Sequence, residues 1–186
     1  MRDKLRRFWH DTLVLGLFLA TMATAGQTAL ASPFGQGVFG ADVPFGSVTS
    51  LSISLGGNVN FTLAPSGPNL AGSGSHTITV TSTDVVGYSL YIYSAGTTDM
   101  SNVTDTIPAS SNSSLAALST NTWGYNTDGS SNYLGITTTP TELMTAIGPY
   151  KSGNNTTVKY GVLADTTKSA GIYTTAVTYT AVALTD

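Results

Sequence analysis

From Leu51 onward, hydrophobic residues recur at every second position, separated by serine, threonine, asparagine and glycine. A period of two marks a strand with one buried face. Leu51, Ile53 and Leu55 share one strand face; after Gly56 and Gly57, Val59, Phe61 and Leu63 share another. A Pro/Gly-rich loop is expected over residues 64–75, then a strand through Ile78 and Val80. A turn at residues 84–87 leads to a strand with Tyr88, Leu90 and Ile92 on one face and Tyr91 and Tyr93 on the other. Residues 97–122 are mostly Ser, Thr, Asn and Asp, with Leu115 and Leu118 compatible with one helical turn. Residues 123–125 and 133–136 read as a hairpin around the turn-rich run 126–130. A second helical turn is expected over 141–147. The last two strands are the clearest: Val158, Tyr160 and Val162 alternate, and Tyr173, Thr175, Val177, Tyr179, Ala181 and Ala183 hold one parity. The pattern predicts an all-β fold, an antiparallel β-sandwich of the Greek-key, immunoglobulin-like kind with about eight strands.

Upstream the pattern changes. Residues 1–7 carry a basic cluster, residues 12–26 are apolar but short for a membrane span, and Ala29, Ala31 and Ser32 form an A-x-A cleavage pattern. This reads as a signal peptide over residues 1–31, helical before cleavage, which implies export. Residues 32–46 follow as an extended arm in which Phe34, Val38, Phe39, Val43 and Phe45 are spaced by glycine and proline. The sandwich domain is then residues 47–186.

Removal of the leader takes away four of seven basic residues. Lys151, Lys159 and Lys168 remain against Asp42, Asp84, Asp99, Asp105, Asp128, Glu142, Asp165 and Asp186. An acidic chain without arginine argues against nucleic acid or an anionic membrane as partner, because both depend on clustered cations. The membrane is expected to be met only through the leader. Cysteine is absent, which excludes thiolate metal sites and cysteine nucleophiles. Residues 181–186 form no hydrophobic tail, so attachment to a surface is expected to be non-covalent or through polymerisation.

Each chemical motif meets a simpler explanation. Gly35, Gly37 and Gly40 match the dinucleotide fingerprint but follow no strand. Asp128, Ser130 and Asn132 are spaced like half a calcium loop, yet Tyr133 and Thr139 stand where glycine and glutamate are needed. His76 is the only histidine after the leader, and with no G-x-S-x-G elbow a serine triad would rest on it alone. Glu142 is the single glutamate, and the aspartates occupy turns, where they cap backbone amides. Lys159 is the candidate for an intramolecular isopeptide, against a solvated strand lysine that guards an edge. Asn60, Asn102, Asn112, Asn154 and Asn155 sit in glycosylation sequons. Tyr91 and Tyr93 are the best candidates for a ligand-facing aromatic pair. No catalytic residue, cofactor or metal is expected.

The runs VTSTDVVGYSL (residues 80–90) and AGIYTTAVTYT (residues 170–180) resemble the WxL-type surface domains of Gram-positive bacteria, as does the Pro44-Phe45-Gly46 step. Tyr88 and Tyr179 stand where that family has tryptophan. Similar endings occur in exported pilin and spore-coat sandwiches of Saccharibacteria-like lineages. The resemblance implies a non-enzymatic envelope domain whose partners are cell-wall polysaccharide, peptidoglycan or other surface proteins. The expectation is therefore a secreted, non-catalytic protein of wall association or adhesion. The alternative is a pilin-like subunit forming a homopolymer by strand addition through residues 32–46.

Overall fold

The computed structural model describes residues 50–184. The leader with its expected helix, the cleavage residues Ala29, Ala31 and Ser32, the glycine fingerprint and the arm lie outside the described residues.

Ten strands form, and among the described residues there is no helix: β1 (Ser50–Leu55), β2 (Ala64–Ser66), β3 (Asn69–Thr83), β4 (Gly87–Tyr93), β5 (Met100–Ser101), β6 (Thr106–Ile107), β7 (Thr122–Asn126), β8 (Thr141–Ile147), β9 (Asn154–Ala164) and β10 (Thr178–Leu184). The first sheet runs β1-β3-β9-β7, with β2 also on β3; the second runs β10-β4-β8. Strands β5 and β6 make a small ladder of their own. Every pairing between strands is antiparallel, as the sandwich reading requires.

Alternation decides which faces meet. Ile78 and Val80 from β3, Val158, Tyr160 and Val162 from β9, and Trp123 and Tyr125 from β7 are buried on the inner face of the first sheet. Tyr88, Leu90 and Ile92 from β4 face them from the second. Between the sheets the chain turns at Asp84, whose φ of 55° is tolerated best by Asp, Asn and Gly. The outward faces carry cross-strand polar pairs: Thr79 Oγ1 donates to Asn155 Oδ1 at 2.7 Å, and Ser89 and Thr145 hydroxyls meet at 2.8 Å.

Four expectations change. Val59, Phe61 and Leu63 alternate but belong to no strand; their segment lies over the inner face of β3, where Gly72 and Gly74 make room for it. A Cβ at Gly72 would fall 2.8 Å from the Thr62 carbonyl oxygen, and one at Gly74 2.8 Å from Val59 Cγ1. Consequently the Pro/Gly run 64–75 is a β2–β3 hairpin, not a loop, because those glycines are strand residues serving a close approach. Residues 141–147 form β8 and not a helical turn. A bulge between Leu90 and Tyr91 pairs Met144 with Leu90 but Glu142 with Tyr91, so Leu143 breaks the period of two. Leu115 and Leu118 lie in irregular chain held by Ala116, which exchanges backbone hydrogen bonds with Tyr133. On the other hand, the hairpin around residues 126–130 forms, with Tyr125 and Leu134 exchanging bonds of 2.9 and 2.7 Å.

The loop over β7 is packed tightly enough to forbid one methyl group. A Cβ on Gly135 would land on the Ser110 carbonyl oxygen, which the backbone holds in place through the bond from Ser110 N to Trp123 O. Gly135→Ala is expected to cost about 3 kcal/mol through forced backbone displacement, read as a lowered urea midpoint at unchanged slope.

Candidate functional site

On the inner face of β3, Gly72 and Gly74 are covered by residues 59–63. Residues 57–61 and 172–175 line a cavity of about 430 Å³. Tyr179 from β10, Tyr160 from β9 and His76 from β3 meet at its wall.

These three side chains form a chain of hydrogen bonds. The Gly57 carbonyl oxygen sits 2.9 Å from His76 Nδ1 and can only accept, so Nδ1 carries the ring proton. In that tautomer Nε2 accepts from the Tyr179 hydroxyl at 2.9 Å, and Tyr179 in turn accepts from Tyr160. The His76 ring tilts against both tyrosines, at 5.5 and 6.0 Å between centroids. Burial pushes the Tyr160 hydroxyl up to about 12. Burial also raises Tyr179, with Tyr160 beside it adding to the effect. Both hydroxyls therefore stay protonated at neutral pH and act as neutral hydrogen-bonding groups, not as bases or nucleophiles. Behind His76 stands a backbone carbonyl and not a carboxylate.

The other candidate residues are dispersed. Tyr91 and Tyr93 lie half-buried on the outer face of β4, opposite Thr180 and Thr178 of β10. Lys159 donates to the carbonyls of Gly129 at 3.1 Å and Ser130 at 2.7 Å, with its ammonium 5.8 Å from the Tyr133 ring centroid. Asp128 accepts from Ser130 N at 3.0 Å, a turn-capping bond that lowers its pKa. The hydrogen bond from Lys168, 2.9 Å away, holds the Asp105 carboxyl down at about 2. Among the sequons, Asn112 spends its amide nitrogen on three carbonyls, whereas Asn60 and Asn155 are exposed. Among the described residues, no three or more His, Cys, Asp or Glu side chains are placed to hold a metal ion, nor is any helix long and apolar enough to cross a membrane.

The sequence does not point to the partner of His76, which lies 103 residues away. The shared parity of Tyr173, Thr175, Val177 and Tyr179 was the available signal. All four line the cavity, although the strand itself begins only at Thr178.

The side of the sandwich beside β10 is also exposed. Strands β1 and β10 are the edges of their sheets and approach each other there. Ile53 pairs with Val80 and Leu55 with Ile78, so both point to the core side of β1. They remain 38% and 50% exposed because no strand of the second sheet lies beyond β10 to cover them among the described residues.

Comparison with protein-family models, with curated proteins and with solved structures finds no match to this chain.

Proposed function

We propose that this chain is an exported, non-catalytic envelope protein that joins other surface protein by β-strand addition at its β1/β10 side. The observation that supports this reading is the pair Ile53 and Leu55, on the core face of an edge strand yet open to solvent. A strand laid along the free edge of β10 would satisfy its unpaired backbone groups and cover both side chains. The donor is residues 32–46 of a second copy, whose phenylalanines and valines alternate with glycine and proline. Proline is compatible with that role because an added strand is itself an edge. Export rests on the leader-like residues 1–31, and placement at the envelope on the resemblance to WxL-type domains.

Protein comprising residues 32–186 is expected to form denaturant-resistant ladders and filaments, visible by gel and electron microscopy. Both deletion of 32–46 and Ile53→Lys should abolish them while leaving a folded monomer. Ladders that survive both changes would sink the reading. Wall association is the second reading, favoured by the uncharged polar pairs such as Thr77–Thr157 and Thr79–Asn155 on the outer face of the first sheet. It calls for the monomeric Ile53→Lys variant to pellet with isolated wall, and a protein left in the supernatant rules it out.

A further inference from the structure

The cavity at His76 is lined by rings, aliphatic side chains and hydrogen-bonding groups, with no Asp, Glu, Lys or Arg among them. We propose that it binds one ring of a neutral sugar.

Size comes first: about 430 Å³ falls within the range of small-molecule sites. Charge comes next. A carboxylate, phosphate or ammonium entering this space would lose its hydration and meet no countercharge. The flat surfaces come from Phe61 and Tyr173, which suit the apolar C–H face of a pyranose. The Tyr173 hydroxyl already donates to the Ser169 carbonyl at 2.9 Å, so its ring is held in place.

The polar groups separate a sugar from a purely apolar guest. Thr175 lines the cavity, and its Oγ1 is buried without a hydrogen-bond partner. An orphaned hydroxyl is costly, and an apolar ligand would leave it so. The His76 chain sharpens the match. Its three protons are all spent internally, on Gly57 O, on His76 Nε2 and on Tyr179, so Tyr160 and Tyr179 offer lone pairs to whatever enters. Acceptors on the wall select a ligand rich in hydroxyl donors. The exposed Asn58 and Asn60 add amides that both donate and accept.

Binding is to be measured by titration calorimetry on residues 32–186, with methyl β-glucopyranoside and N-acetylglucosamine as neutral probes, glucuronate as the charged one and indole as the apolar one. Trp123, the only tryptophan after the leader, gives a second signal by fluorescence. At least one neutral sugar should saturate the site with Kd of about 1 mM or tighter. Glucuronate and indole should bind at least about tenfold more weakly, and Thr175→Val and Tyr179→Phe should each weaken the sugar by about tenfold, the scale of one hydrogen bond. Thr175→Val should also raise the melting temperature of the free protein, because it removes an unpartnered buried hydroxyl; it keeps the test sound if Tyr179→Phe fails to fold. No saturable binding of either sugar overturns the proposal. So does indole or glucuronate binding as well as the sugars, or sugar binding that Thr175→Val leaves untouched. Because Leu55 belongs both to the cavity wall and to the assembly face, the titrations are made on the monomeric Ile53→Lys variant as well, and assembly is scored separately.

Discussion

Trp123→Ala is expected to lower the stability of the folded chain by about 4 kcal/mol, the largest loss available from a single core truncation. The side chain is only 2% exposed and sits near the start of β7, opposite Val162, with its ring 6.3 Å from that of Tyr160. Removing it opens a cavity that stiff strands on both sides cannot close. It also removes the Nε1 donor to the Thr98 carbonyl, and so loosens the chain leading into β5. The backbone of Trp123 meanwhile holds the loop after β6, through Pro108 O at 3.2 Å and Ser110 N at 2.7 Å. Trp123→Phe separates the two contributions: it keeps most of the volume, loses the donor, and should cost about 1–2 kcal/mol. Urea unfolding followed by circular dichroism decides the matter, since the substitution removes the fluorophore. A loss below 1 kcal/mol for alanine would mean that the β7 side of the core is loosely packed.

The legible part of the fold is that in which one face of a paired strand is buried. Tyr88, Leu90 and Ile92, or Val158, Tyr160 and Val162, alternate because one sheet face meets the other and the opposite face meets water. The same logic misread residues 58–63. Alternation reports that one side of an extended segment is covered, not that its backbone is paired, and Val59 and Phe61 are covered by packing on Gly74 and Gly72. Glycine misled in the other direction. At Gly72 and Gly74 it marks a strand that another segment crosses closely, and composition alone assigns such a stretch to a loop. In β8 a single bulged residue, Leu143, was enough to hide a seven-residue strand.

The cavity was less legible still. Its hydrogen-bond chain joins Gly57, His76, Tyr160 and Tyr179, residues carried by a loop and three strands of two different sheets. Nothing local in the sequence ties them together, because register is set by strands pairing over long separations. Parity alone singles out Tyr91 and Tyr93, and it places them on the outer face of β4 without saying how far β8 and β10 shield them.

Asn126→Asp should be the second most damaging substitution, and its effect should depend on pH. Asn126 is fully buried at the end of β7, where one amide organises the whole hairpin loop. Its Nδ2 donates to Ser130 O at 3.2 Å and Asn132 O at 2.6 Å, while Oδ1 accepts from Gly129 N at 3.2 Å. A carboxylate of the same shape keeps the third bond but turns an oxygen toward two carbonyl oxygens, with no hydration to offset the repulsion. Burial and these acceptors raise the folded-state pKa of the new carboxyl above its unfolded value near 3.9. Between those two values the folded state binds more protons than the unfolded, so stability falls as pH rises through that window and levels off above it. The penalty at pH 7 should be about 4 kcal/mol: about 1 for the lost donor and about 3 for a carboxyl whose pKa burial raises by about two. At pH 3, where the carboxyl is protonated in both states, it should shrink to about 1 kcal/mol for the one lost donor. Urea midpoints of this variant and the parent, measured side by side from pH 3 to pH 8, give the test. Parallel pH profiles would show that Lys159, whose ammonium already donates to Ser130 O 2.7 Å away, neutralises the new charge.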